Sequence, residues 1–168
     1  AKAQTEKPED FYKGKVLNYI VGDTAGAGGD LVARALAPYL SKATGATVIV
    51  KNMTGGGGLE GPNFVWSAKP DGLTIGGIDF ASLISNDINK EPGAHYQVEK
   101  FGYLGSTGVE GTVLFVGAKS PIKTIEDLKT KKGLKIAGTT PSGMRGIALM
   151  VAAYCLDLDA KIVTGFKG

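Results

Sequence analysis

The sequence of 168 residues is poor in the residues that most chemistry requires, with one cysteine, one histidine and one tryptophan. A single cysteine excludes a disulfide within the chain, and a single histidine leaves no second imidazole for a metal site. There is no G-x-S-x-G nucleophile motif, and no His, Cys or carboxylate cluster has metal-ligand spacing. We therefore expect no enzyme activity, no catalytic residues, no metal and no other cofactor.

Long apolar runs and strong charge are absent as well. No stretch approaches the roughly 18 apolar residues that a membrane-spanning helix needs. The net charge of +3 suits a small acidic ligand, but no stripe of Lys and Arg interleaved with aromatic residues predicts nucleic-acid binding. Cys155 lies in an apolar helical run and is expected to be buried, whereas His95 lies in a polar loop and is expected to be exposed.

Glycine is abundant, with 26 residues that fall in clusters and predict tight turns between strands and helices. The first 80 residues read β-α-β-α-β. Strands are predicted at 15–21, 47–50 and 73–78, and helices at 29–43 and 59–68. Right-handed crossovers then give a parallel sheet, in which ligands bind at the carboxyl ends of strands. This places three loops together, at 22–29, 52–58 and 79–82.

The first predicted helix carries apolar residues on one face, namely Val32, Leu36, Tyr39 and Ala43, and contains Pro38. A further helix is expected at 81–88, followed by a polar loop at 89–99 and strands at 101–105 and 112–116. Thr124 is expected to cap a helix over 125–129, with Asp127 completing a capping box.

The last fifty residues repeat the opening pattern. A strand at 134–137, a loop at 138–143, a helix at 144–156 and a strand at 161–164 predict a second α/β unit, with Ile147, Val151 and Tyr154 on one helix face. We divide the chain into a flexible lead-in at 1–10, a first α/β domain at 11–115 and an incomplete second α/β domain at 116–168. Two strands and one or two helices are too little to close a core, so this unit should carry an uncovered apolar face.

Both strand–loop–helix segments are candidate anion sites, since the first N–H groups of a helix lack internal partners and the helix dipole adds partial positive charge. A plain turn is the alternative at each. Asp30 is expected to cap the first helix rather than contact a ligand, and Arg145 either binds a carboxylate or is solvated. The predicted ligand-binding residues are Thr24, Ala25, Gly26, Ala27, Gly28, Asp79, Ser82, Thr139, Thr140, Ser142, Gly143 and Arg145.

Nucleotide binding is the weaker interpretation of the first loop. Gly26 and Gly28 match the start of G-x-G-x-x-G, but Leu31 stands at the third glycine position, and no lysine follows the glycines as in a P-loop. One helix terminus contributes only about 0.3–1 kcal/mol, whereas micromolar binding needs about 8 kcal/mol. A useful site therefore requires both loops in a closed cleft.

Several segments form a pattern through their order and spacing, although no single one is specific. They are 10–15 (Asp-Phe-Tyr-Lys-Gly-Lys), 21–22 with 28–30, 50–53 with 55–58, 69–76 (Lys-Pro-Asp-Gly-Leu-Thr-Ile-Gly), 120–128 and 163–168. Together these segments resemble the receptors of tripartite tricarboxylate transporters, also called Bug receptors, and the resemblance covers nearly the whole chain after residue 10.

The resemblance implies an α/β, type II periplasmic-binding-protein-like fold, with two domains that close over a small carboxylate for delivery to membrane transporter subunits. Backbone N–H groups of residues 24–29 and 138–143 would hold the ligand, in the periplasm. The chain departs from the family at Thr24–Ala27, where proline and glycine are usual, and at Thr139–Pro141. Family members continue past residue 168, so we expect an N-terminal portion. The alternatives are a nucleotide- or phosphate-binding α/β enzyme and a truncated fragment that binds nothing and self-associates.

Overall fold

The computed structural model describes residues 8–108, 113–138 and 144–165, without the side chains of residues 8, 9, 144 and 145. The chain forms two compact units. The first takes the described residues up to Asp79 together with Asn86–Leu104, and the second takes Phe80–Ser85 and the described residues from Gly105 onward. A short helix, α1 (Pro8–Phe11), falls at the end of the predicted lead-in.

The first unit is built on a three-stranded parallel sheet. Its strands are β1 (Val16–Val21), β2 (Thr47–Asn52) and β3 (Thr74–Gly77), in the order β2-β1-β3. Helix α2 (Gly28–Thr44) follows β1, and α3 (Gly55–Gly58) and α4 (Glu60–Ser67) follow β2. The predicted β-α-β-α-β order is confirmed, because each β-branched run is bounded by glycine-rich turns that end it.

Both faces of the sheet are covered, as parallel sheets require. On one face Tyr19 and Val21 of β1 form a core with Ala33 of α2. On the other face, a Cβ built on Gly76 would lie 3.1 Å from Val65 of α4. The central strand is consequently the most buried, and Ile20 and Val21 are fully enclosed.

Helix α2 packs through a different face from the predicted one. Val32, Tyr39 and Ala43 are exposed, and Tyr39 keeps 73% of its surface. Asp30 and Ala33 are buried instead. Small Ala33 lets the helix approach the sheet closely, and Asp30 must point inward to reach its partners, so these two residues set the rotation of the helix.

After β2 the predicted loop contains the helical turn α3, in which Gly56 and Gly57 have left-handed φ angles of 60° and 69°. Helix α5 (Phe80–Ile88) agrees with the helix predicted at 81–88. A 3₁₀ turn (Val98–Lys100) closes the polar loop, and His95 is exposed as predicted.

The two strands predicted at 101–105 and 112–116 are wrong in their described residues, where no strand forms. An apolar segment becomes a strand only when a neighbouring strand pairs with its backbone. Here the side chains lie in solvent, with Leu104 87% and Phe115 85% exposed.

In the second unit, β4 (Leu134–Ala137) and β5 (Ala160–Val163) form a parallel pair. Helix α7 (Met144–Cys155) lies between these two strands in the sequence. Helix α6 (Ile125–Thr130) begins at the predicted capping box: the Thr124 side chain accepts the Asp127 N–H, and the Asp127 side chain accepts the Thr124 N–H. The predicted β-α-β pattern of this unit is confirmed.

Helix α7 leaves apolar residues uncovered. Val151 and Tyr154, on the predicted face, are exposed, and the prediction that Cys155 is buried is wrong. Two short strands can cover only one stripe of a twelve-residue helix, and Leu149 lies in that stripe, near Gly138. The predicted uncovered apolar face of this unit is therefore present on α7.

Candidate functional site

The carboxyl ends of the three strands of the first sheet are aligned. Val21 is in register with Asn52 on one side and with Gly77 on the other. The Met53 N–H also donates to the Val21 carbonyl, at 2.8 Å, so β2 and β1 stay joined where their loops begin. The loop at 22–27 and the start of the loop at 53–58 are thereby brought to one edge of the sheet.

The loop between β1 and α2 is held by its own residues. The Ala27 N–H donates to the Thr24 carbonyl at 3.0 Å, and Gly26 takes a left-handed φ of 86°. Ala27 is the N-cap of α2, in an extended conformation and with no side-chain cap. Small residues are needed here, because the loop turns tightly at Gly26 before entering the helix.

Asp30, the third residue of α2, is 1% exposed and ties the helix back to this loop. Its Oδ2 accepts the Gly26 N–H at 2.8 Å, and both carboxylate oxygens accept from Arg34 Nε at 2.9 Å. Asp30 therefore does not hold the N-cap position, although it does bind at the helix N-terminus as expected. Arg34, half exposed, offsets its negative charge.

These hydrogen bonds keep Asp30 ionised. The Arg34 side chain, then the Gly26 N–H and the Asn52 amide, hold the pKa of Asp30 well below its ordinary value. At neutral pH buried Asp30 and half-exposed Arg34 thus form a fixed ion pair within the chain. The carboxylate is not a free negative charge that would repel an anion at the loop.

A second aspartate uses another N–H of the helix start. Asp23 Oδ2 accepts the Gly29 N–H at 3.0 Å, and Gly29 has no room for a Cβ because Asp23 lies against it. Within the described parts of the chain, the N–H groups of Gly28 and Asp30 have no acceptor. Because Asp30 is enclosed, its N–H cannot reach a ligand. The loop can instead offer the N–H of exposed Gly28 and those of exposed Thr24 and Ala25, which also have no acceptor among the described residues.

The other predicted site residues fall in three groups. Asp79 directly precedes α5 and Ser82 lies in its first turn, and both interact with other residues. Thr139, Thr140, Ser142 and Gly143 lie outside the described residues, and Arg145 is in the first turn of α7 with its side chain outside the description. The structure thus groups Thr24 to Gly28 in one loop.

Three residues that shape this loop were not predicted: Asp23, Arg34 and Asn52. Arg34 follows Asp30 by four residues, a spacing that places two side chains together on a helix, so this pair was visible in the sequence. Asn52 is 22 residues from Asp30, and only the alignment of β1 with β2 brings them together.

Metal binding and membrane insertion find no structural support in the described residues. No group of three His, Cys, Asp or Glu side chains there is placed to hold a metal ion. No helix in the described ranges has the length and apolar character needed to cross a bilayer.

Comparison with known proteins identifies the family to which the chain is similar. A family model described as "Tripartite tricarboxylate transporter family receptor" matches residues 32–143. The chain is 31% identical over 130 residues to the UPF0065 protein of the gbd 5′ region of Cupriavidus necator. It is 35% identical over 126 residues to a UPF0065 protein of Agrobacterium vitis. These matches cover 76% and 71% of this chain but only 37% and 34% of the relatives.

Solved structures share the fold. The periplasmic binding protein BugD is similar to this chain, with a TM-score of 0.61 and 22% sequence identity. MatC from Rhodopseudomonas palustris with bound malate is similar with a TM-score of 0.61 and 17% sequence identity. A structure described as a periplasmic transporter has a TM-score of 0.66 and 24% identity. This chain covers 54% of each of these proteins. The α/β fold is thus that of periplasmic binding proteins, as predicted.

The family match extends over most of the chain, and two curated relatives are more than 30% identical to it. The order of its elements and the parallel sheet agree with that match. The chain therefore belongs to the receptor family of the tripartite tricarboxylate transporters, the Bug family.

Proposed function

We propose that this chain is the ligand-binding part of a periplasmic solute receptor that captures a small carboxylate and delivers it to a membrane transporter. The observation that carries the proposal is the start of α2, where the N–H of exposed Gly28 lacks an acceptor among the described residues. Neutral donors at a helix N-terminus suit a carboxylate oxygen.

The charge balance at the loop supports a carboxylate over a phosphate. Arg34 offsets the negative charge of Asp30, but Arg34 is occupied by that carboxylate and by Asn52. No lysine follows Gly28 or Gly29 to neutralise a phosphate. The loop therefore favours a singly charged oxygen pair held by N–H groups.

The remaining ligand contacts are part of the same proposal. The residues predicted from the sequence to contact the ligand are those of the Thr24–Gly28 loop together with Asp79, Ser82, Thr139, Thr140, Ser142, Gly143 and Arg145. Malate, which MatC holds in its structure, is a reasonable first ligand to test, since it offers two carboxylates. Self-association, the expected alternative for a fragment, has no support among the relatives.

Calorimetric titration of the chain tests the proposal. The panel comprises malate, other di- and tricarboxylates, amino acids, inorganic phosphate and nucleotides. We expect saturable binding of at least one carboxylate and none of phosphate or nucleotides. Binding of nucleotides alone would replace the receptor proposal with the phosphate-binding alternative, and no binding at all would contradict the proposal for this chain.

A further inference from the structure

We propose that Asn52 is the positioning residue of the binding loop, joining the end of β2 to both aspartates that shape the loop between β1 and α2. Its Nδ2 donates to the Asp23 carbonyl at 2.9 Å and to Asp30 Oδ1 at 2.8 Å. Its Oδ1 accepts from Arg34 Nη2 at 2.9 Å. The inference rests on the proposed function only for the part of its test that measures binding.

The chemistry of these three contacts requires a carboxamide. Both donors of the NH₂ group face oxygen atoms, and the carbonyl oxygen faces a guanidinium. An aspartate at position 52 would keep the contact with Arg34 but place a negative oxygen against Asp30 and the Asp23 carbonyl. An alanine would leave both of these oxygens without their amide donor.

The contacts of Asn52 reach both ends of the loop. Asp30 Oδ1 accepts a hydrogen bond from Asn52, and Asp30 Oδ2 accepts one from the Gly26 N–H in the left-handed turn. The Asp23 carbonyl accepts a hydrogen bond from Asn52, and the Asp23 carboxylate accepts one from the Gly29 N–H. The Asn52 side chain, at the end of β2, thereby stabilises the backbone on both sides of Gly28.

A fixed loop conformation matters because the affinity of a site made of N–H groups depends on the direction in which those groups point. Donors that already point at the ligand avoid the ordering cost of binding. A mobile loop would offer the same N–H groups with a weaker affinity. Asn52 should thus affect binding without touching the ligand itself.

Asn63 supplies a matched control in the same unit. Its Nδ2 donates to the Gly93 carbonyl at 2.8 Å and its Oδ1 accepts the His95 N–H at 2.9 Å, so it also braces a loop through its carboxamide. Asn63→Ala removes a comparable set of hydrogen bonds and leaves the contacts of Asn52 intact.

The test measures amide hydrogen exchange by NMR in wild type, Asn52→Ala, Asn52→Asp and Asn63→Ala, with the Ile20 amide of the central strand as the reference. We expect exchange at Gly26 and Gly29 to speed up by about tenfold relative to Ile20 in both Asn52 variants. In Asn63→Ala these two amides should stay within about twofold of wild type. The inference would be overturned if the exchange rate of Gly26 in Asn52→Ala changed only as much as that of Ile20. It would also be overturned if Gly26 exchange increased as much in Asn63→Ala as in Asn52→Ala.

The binding part of the test titrates malate into the same proteins. If wild type binds malate, Asn52→Ala should bind it at least about fivefold more weakly and Asn63→Ala within about twofold. Equal malate affinity of wild type and Asn52→Ala would overturn the positioning role. Failure of wild type to bind malate or any other carboxylate would count against the proposed function, and the exchange rates would still decide the role of Asn52.

Discussion

At the scale of single residues, Asp30 shows how a buried charge can fix the loop between β1 and α2 while its charge is offset by Arg34. It is enclosed at 1% exposure, yet Arg34, the Gly26 N–H and Asn52 satisfy both of its oxygens. A buried carboxylate that is fully paired in this way fixes geometry. The conformation of the loop is consequently fixed by side-chain hydrogen bonds within the chain.

The lowered pKa of Asp30 gives stability a specific pH dependence. Asp30 is deprotonated more readily in the folded chain than in the unfolded chain, where its pKa is about 3.9. Its contribution is therefore fully present above about pH 5 and is lost as the pH falls below about 4 towards the lower folded value. The stability advantage of wild type over Asp30→Asn should shrink over that same acid range.

Urea unfolding followed by the fluorescence of Trp66 measures this, because Trp66, the only tryptophan, lies in the same unit as Asp30. A stability difference between the two proteins that stays constant from pH 7 to pH 3 would show that the Asp30 carboxylate titrates alike in both states.

Cys155 gives a second prediction at this scale. The thiol is exposed at the end of α7, so it should react with a thiol reagent in the native chain as fast as in urea, within about threefold. Colorimetric thiol titration with and without urea checks this. Protection of the native thiol by a hundredfold or more would instead indicate the burial that its apolar sequence context predicts.

Residue roles were predictable from the sequence only where the partners are local. The Thr124 capping box was predictable because Thr124 and Asp127 lie three residues apart. The role of Asp30 was not, because one of its partners, Asn52, lies on strand β2, 22 residues away. The buried face of α2 was missed for the same reason, since Asp30 fixes it through that distant contact.

At the scale of elements, the parallel strands were predictable because β-branched runs ending in glycines fix both their type and their limits. Strand β4 (Leu134–Ala137) was predicted to the residue, and β1 to within one residue. The segments at 101–105 and 113–116 look equally apolar but remain unpaired in the described structure. Pairing is decided by a neighbouring strand, which a single segment of sequence does not contain.

The contact between β3 and β1 provides an element-scale prediction. A Cβ on Gly77 would lie 2.7 Å from the Tyr19 ring, which is 6% exposed and cannot move freely. Gly77→Ala should therefore lower the free energy of unfolding by about 1–3 kcal/mol.

Gly102→Ala is the control, since its Cβ would meet nothing within 4 Å, and it should stay within about 0.5 kcal/mol of wild type. Urea unfolding followed by Trp66 fluorescence compares them. Equal stability of Gly77→Ala and Gly102→Ala would mean that the sheet tolerates a side chain at position 77.

At the scale of the whole molecule, the chain joins two α/β units, each with a parallel pair of strands and a helix between them in sequence. The family could be inferred from the order and spacing of several motifs, although no single motif in the chain is specific. The individual ligand could not, because carboxylates of different size present the same oxygens to backbone N–H groups.

The central claim is that the Gly28 N–H at the start of α2 binds a carboxylate, and a substitution at position 28 can delete this N–H. Gly28 is the first residue of the helix, where proline is favoured, and Ala27 before it already has the extended ψ of 168° that a proline requires. Gly28→Pro therefore removes one N–H and preserves the helix. Gly28→Ala adds a Cβ into open space and keeps that N–H.

The decisive measurement is calorimetric titration of both variants and wild type with the carboxylate that wild type binds most tightly. We expect Gly28→Pro to bind it at least about tenfold more weakly than Gly28→Ala, because a hydrogen bond to a charged oxygen is lost. Equal affinities of two folded variants would contradict the claim that the start of α2 holds the ligand.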